Sequence, residues 1–157
     1  MLNRSTIRRI AILLATLVVT LFANTAVYAD SEQDVEKILR EIHQDQPVPK
    51  LDYLKQTKSI NADSSYYQGR YNGIKVAVET HPNSTRVASI LLSIEGPDQT
   101  RAILPAVIRV LGPPKTSDPK NDIYGWSWPG YRTASVHNAP NGDSGTKGMT
   151  TVSIFYR

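Results

Sequence analysis

Asn72-Gly73 separates two stretches of alternating character, SSYYQGRY at 64–71 and IKVAVET at 74–80. Both central positions of a two-residue hairpin loop take positive φ, which Asn and Gly tolerate best. The dipeptide therefore fixes a β-hairpin and the register of both its arms. In the second arm Ile74, Val76 and Val78 fall on one face. After the polar turn HPNST, residues 87–95 give a third strand, in which Ala88, Ile90, Leu92 and Ile94 alternate with Ser89, Leu91, Ser93 and Glu95.

Helical signals flank this block. Ser31 to Asp34 has the form of a capping box, and Val35, Ile38, Leu39 and Ile42 follow as one apolar stripe. Pro47 and Pro49 end that helix, and Pro49 is placed to start a second short one over KLDYLKQ. Beyond Gly96-Pro97-Asp98, QTRAILPAVIRVL reads as a helical stretch interrupted at Pro105 and ended by Gly112-Pro113-Pro114. Strands are expected at 122–128 and 131–137 around Pro129-Gly130. A loop over 138–148 and a last strand, MTTVSIFY, complete the chain.

A shift of 57 residues superposes Leu54 on Leu111, Tyr67 on Tyr124, Gly73 on Gly130 and Ala77 on Ala134. Matching turn dipeptides and strand order lead us to expect an α+β fold of tandem α-α-β-β-β repeats, 30–96 and 97–157. They would form one curved antiparallel sheet with short helices packed on one face. One mismatch stands out, because Ile74, Val76 and Val78 then superpose on Tyr131, Thr133 and Ser135. A twist, a bulge, a shifted register or a polar binding surface would each account for it.

The first 29 residues have the order of a secretory signal peptide. MLNRSTIRR is basic, IAILLATLVVTLFA is apolar, and VYA places small residues before Asp30. Cleavage after Ala29 is expected, and with it an exported protein, periplasmic or extracellular, without a stable membrane anchor. The full chain carries +4, but Arg4, Arg8 and Arg9 lie in this start. Without them 15 basic residues face 14 acidic ones, so the basic balance is no argument for nucleic acid as partner. The chain has no cysteine, which removes disulfides, thiolate metal sites and a lipobox acyl anchor.

LGPPKTSDPKNDIYGW, residues 111–126, resembles the Leu-Gly-x-Pro … Asp-Pro … Tyr-x-Trp stretch of the small outer-membrane lipoproteins that serve the β-barrel assembly machinery. The doubling of such a unit resembles the β-lactamase inhibitory protein fold group, in which a concave joined sheet grips a loop of its target. The chain lacks both the lipobox cysteine of the first and the disulfide cysteines of the second. The resemblance implies a fold and a habit of binding another exported protein.

Catalytic chemistry finds little support. His43, His81 and His137 are scattered without metal-ligand spacing, and Ser127 lacks the Gly-x-Ser-x-Gly elbow, since Pro129 stands where the second glycine is needed. Gly142, Gly145 and Gly148, with Asn141, Asp143 and Ser144, lack the surroundings of a phosphate or calcium loop. We expect no catalytic residues, no metal and no cofactor. Tyr124, Trp126 and Trp128 share one strand face, as do Tyr67 and Tyr71. That row either packs under the helices or presents stiff amphipathic anchors to a partner. On the second reading Tyr67, Tyr71, Arg70, Trp126, Trp128, Tyr131 and Arg132 are the partner-binding residues, together with the 138–148 loop. The expected function is a non-enzymatic protein-binding module, inhibitor-like or accessory. The alternative is a carbohydrate or small-ligand binder using the same aromatic surface.

Overall fold

The computed structural model describes residues 31–59, 61–130, 132–139 and 148–156. Helix α1 spans residues 31–41, and its stripe of Val35, Ile38, Leu39 and Ile42 is at most 1 % exposed. Strands β1 (Leu54–Thr57), β2 (Tyr66–Tyr71), β3 (Ile74–Thr80) and β4 (Val87–Glu95) follow. Helix α2 (Thr100–Leu111) then leads into β5 (Thr116–Asp118), β6 (Ile123–Ser127), β7 (Arg132–Ala139) and β8 (Met149–Tyr156). All eight strands join one antiparallel sheet in the order β1-β2-β3-β4-β8-β7-β6-β5. Two meanders thus meet through their last strands, with Ile90 opposite Ile154 and Leu92 opposite Val152 at the join.

The core lies between the helices and one face of this sheet. Val35, Ile38 and Leu39 of α1 and Ile103, Ala106 and Val107 of α2 share a single cluster with Ile74, Val76, Val78, Leu92, Val136 and Val152. Side-chain ties fix α1 in place. Its Asp34 accepts from Asn72 at 3.0 Å, and Glu36 and Glu32 accept from Arg109 of α2 at 2.7 and 2.6 Å.

The fold is mostly sheet and is not the expected tandem α-α-β-β-β arrangement with short helices on a curved sheet. Two observations overturn that expectation. KLDYLKQ makes one turn, closed by Leu54 N–H to Leu51 O at 3.0 Å, and then extends as β1 against β2. A seven-residue helix gains few internal bonds for its nucleation cost, whereas the free edge of β2 offers a ladder at once. Gly69 makes the approach possible, because a Cβ there would stand 1.7 Å from the carbonyl oxygen of Tyr53. In the second half Pro105 does not interrupt the helix, and α2 runs unbroken through it. Pro105 and Arg101, whose carbonyl it cannot serve, are both on the exposed side.

The hairpin signals hold, and they resolve the mismatch. Asn72 and Gly73 take φ of 45° and 90°, joining β2 to β3 with Tyr71 opposite Ile74. In the second hairpin Trp128 N–H donates to Arg132 O at 3.0 Å, so three residues, 129–131, separate the last pair instead of two. The extra residue moves the register by one. Ala134 and Val136, 4 % and 0 % exposed, enter the core where the 57-residue shift would have placed Thr133 and Ser135. The same shift fails upstream, where Leu54 opens β1 but Leu111 closes α2.

Candidate functional site

Successive side chains of a strand point to opposite faces, so each aromatic residue is assigned by its cross-strand neighbour. Tyr67 stands opposite Val78 and Tyr71 opposite Ile74; Tyr124 stands opposite Val136 and Trp126 opposite Ala134. All four neighbours are buried, so the aromatic row faces the helices. Trp126 is 3 % exposed, and its indole N–H donates to the carbonyl of Gly112 at 2.8 Å. Tyr67, Tyr71 and Trp128 are half-buried against the same cluster. Tyr71 meets Tyr53 with ring centroids 5.0 Å apart, and Lys37 of α1 lies 5.4 Å from its centroid. The Tyr53 hydroxyl donates to Glu41 at 2.9 Å; burial first, and then that bond, raise its pKa above the ordinary phenol range.

The other expected contacts are dispersed. Arg132 lies with its guanidinium 4.5 Å from the Trp128 ring centroid, on the helix side. Arg70 is exposed on the opposite face and donates to Gly73 O at 2.9 Å. Tyr131 and residues 140–147 of the expected loop, like the signal segment 1–29, lie outside the described residues. The expected residues therefore do not form one patch.

Ser127 and His137 also stay apart. Ser127 is opposite Thr133, and His137 stands four residues further along β7, roughly 13 Å away at the rise of a strand. Of the other histidines, His81 contacts Asp45 at 3.0 Å. Asp122 pairs with Arg101 at 2.7 Å, while Asp118 accepts from Asn121, which with two backbone N–H groups lowers its pKa. No three His, Asp or Glu come together in a metal-holding group among the described residues.

The face of the sheet away from the helices carries the most distinctive surface. Cross-strand partners run the full width in one row: Lys55, Gln68, Ala77, Leu91, Ser153, Ser135, Gly125 and Thr116. The middle of this row is uncharged. The hydroxyls of Ser135 and Ser153 bond to each other at 2.8 Å, while Leu91 and Phe155 remain 40 % and 39 % exposed. Phe155 lies two residues past Ser153 on the same face, a diagonal neighbour of Leu91 at roughly 7–8 Å. Gly125 keeps the row low, since a Cβ there would stand 2.6 Å from Thr116 Oγ1. Shallow depressions flank the central strands. One of about 410 Å³ is bounded by Gln68, Arg70, Lys75 and Leu91. The other, of about 460 Å³, is bounded by Thr116, Ser127, Ser135 and Phe155.

Leu91 had a signal in the sequence, as the one large apolar residue on the Ser89, Ser93, Glu95 side of its strand. Phe155 had a weaker one, because its parity depends on the register of β8. No family model matches the chain, and neither a curated protein nor a solved structure matches it.

Proposed function

We propose that this chain is an exported, non-enzymatic module that holds another exported or envelope protein against the open face of its sheet. The observation that carries this reading is the exposure of Leu91 and Phe155 at the uncharged middle of a cross-strand row eight strands wide. Seven interstrand spacings of about 4.8 Å give a width of roughly 34 Å, and strands of about six residues a height of roughly 20 Å. The product, on the order of 700 Å², is close to the ~800 Å² that one partner contributes to an ordinary specific interface. Desolvated apolar anchors surrounded by small polar groups are the arrangement that such an interface uses.

The signal-like start supports export, to the periplasm or beyond the cell. The resemblance of residues 111–126 to envelope and secreted binding proteins agrees with an inhibitor-like or accessory role. The carbohydrate alternative rests on the aromatic row of β2 and β6, and the described rings of that row lie on the helix side. Replacing Leu91 and Phe155 together by glutamate tests the proposal, with retention of a partner from the producer's envelope and medium as the readout. The pair of substitutions is expected to abolish retention while the far-ultraviolet circular dichroism stays unchanged. Unchanged retention by the folded variant would refute the reading.

A further inference from the structure

On the helix side, the C-terminal ends of α1 and α2 do not close over the sheet. A cleft of about 540 Å³ opens between them. Val110 and Leu111 at the end of α2 give it partly exposed apolar side chains, and Leu39, Ile42, Ile90 and Ile154, each at most 4 % exposed, lie beneath. Arg40, Arg109 and Arg132 line its rim beside His43, Gln44 and Gln46, and no carboxylate does among the described residues.

Two of these arginines are already paired. Arg40 donates to Glu36 at 2.9 Å, and Arg109 donates to Glu36 at 2.7 Å and to Glu32 at 2.6 Å. Arg132 differs. Its Nε is shut off from solvent without an acceptor, and the rest of its guanidinium has no hydrogen bond or ion pair among the described residues. Its guanidinium stacks on the ring of Trp128. Asp45 feels the charge of Arg132, but its carboxylate is occupied by the Tyr156 hydroxyl at 2.5 Å and by His81 at 3.0 Å.

A guanidinium held by stacking, with its donors unspent, beside the partly exposed Val110 and Leu111 matches one kind of ligand. The planar fork takes a carboxylate through two parallel bonds, and a hydrocarbon body covers the apolar side chains at the end of α2. The volume lies within the ordinary range for small-molecule sites. We propose that this cleft binds a small amphipathic carboxylate, with Arg132 holding the carboxylate and Val110 and Leu111 flanking the hydrocarbon. The cleft is on the opposite side of the sheet from the proposed partner surface, so the two ideas fail separately.

Trp128, in contact with Arg132, is the natural reporter. Tryptophan emission of the folded chain is titrated with octanoate and, separately, with octan-1-ol. The expected result is a saturable change with octanoate at a Kd below about 1 mM. Octan-1-ol should bind at least about tenfold more weakly, and Arg132→Gln should lose octanoate affinity by a similar factor. No saturable response, equal affinity for the alcohol, or an Arg132→Gln variant that folds and binds octanoate as tightly would each overturn the proposal. The acid–alcohol comparison needs no variant, so misfolding of Arg132→Gln leaves the test decisive.

Discussion

The indole N–H of Trp126 donates to the carbonyl of Gly112, 2.8 Å away, and so ties the centre of β6 to the cap of α2. Gly112 has φ of 81°, and its own N–H closes on Ile108 at 2.8 Å, so one residue ends the helix and receives the strand. Trp126→Ala removes both a large buried ring and this bond, and should destabilise the protein by about 3–5 kcal/mol. Trp126→Phe keeps most of the ring but leaves the Gly112 carbonyl unserved, for about 1–2 kcal/mol. Urea denaturation followed by circular dichroism measures both.

Gly69 admits the chain crossing that brings β1 to the sheet. A methyl group there meets the Tyr53 carbonyl oxygen at 1.7 Å, a backbone atom that cannot swing aside. Gly69→Ala should therefore push β1 from the edge of β2 and cost on the order of 1–3 kcal/mol, the range for overpacking. Hydrogen exchange would localise the effect, with protection lost over Leu54–Thr57 and retained in β3 and β4.

Asp45 links three segments, accepting from the Tyr156 hydroxyl at 2.5 Å and contacting His81 at 3.0 Å, while its own carbonyl accepts from Arg86 at 2.5 Å. Its carboxyl is held below the ordinary range, chiefly by the Tyr156 hydroxyl, against an opposing effect of burial and with His81 adding to the lowering. A depressed folded-state pKa stabilises the fold above the unfolded value of about 3.9, and that contribution is lost as pH falls through the folded value. The urea midpoints of wild type and Tyr156→Phe should differ by a constant amount above about pH 4.5 and converge below it. A gap that persists undiminished at lower pH would assign the bond no role in acid stability.

What the sequence made legible follows the range of the forces involved. The α1 stripe and the Asn72-Gly73 hairpin depend on neighbours a few residues away, and both stand as expected. The local pattern of KLDYLKQ favours a helix, whereas the strand identity of β1 comes from Tyr66 and Tyr67, about ten residues on, and from the missing Cβ of Gly69. The second hairpin carries the clearest lesson. Its polar-looking core strand came from aligning it residue for residue with the first, when its turn is one residue longer and Ala134 and Val136 are the buried pair. The aromatic row was visible as a face, but only the register assigns that face to the helix side.

Substitutions on the open face should separate binding from folding. Leu91 and Phe155 are each about two-fifths exposed and no helix covers them among the described residues. Leu91→Ser and Phe155→Ser should each change stability by no more than about 0.5–1 kcal/mol, far less than a core truncation in the same strands. Ile90→Ala, one residue away on the buried face, should cost about 2–5 kcal/mol. Denaturant midpoints of the three variants give the comparison.

Site-specific photo-cross-linking in the producing cell shows what lies against the open face. A photoreactive phenylalanine analogue is placed at Leu91 or Phe155, and at the exposed helix position Arg101 as the reference. One discrete adduct with another exported protein is predicted from positions 91 and 155 and none from position 101. No adduct at 91 and 155, or the same adducts from all three positions, would mean that the open face holds no partner.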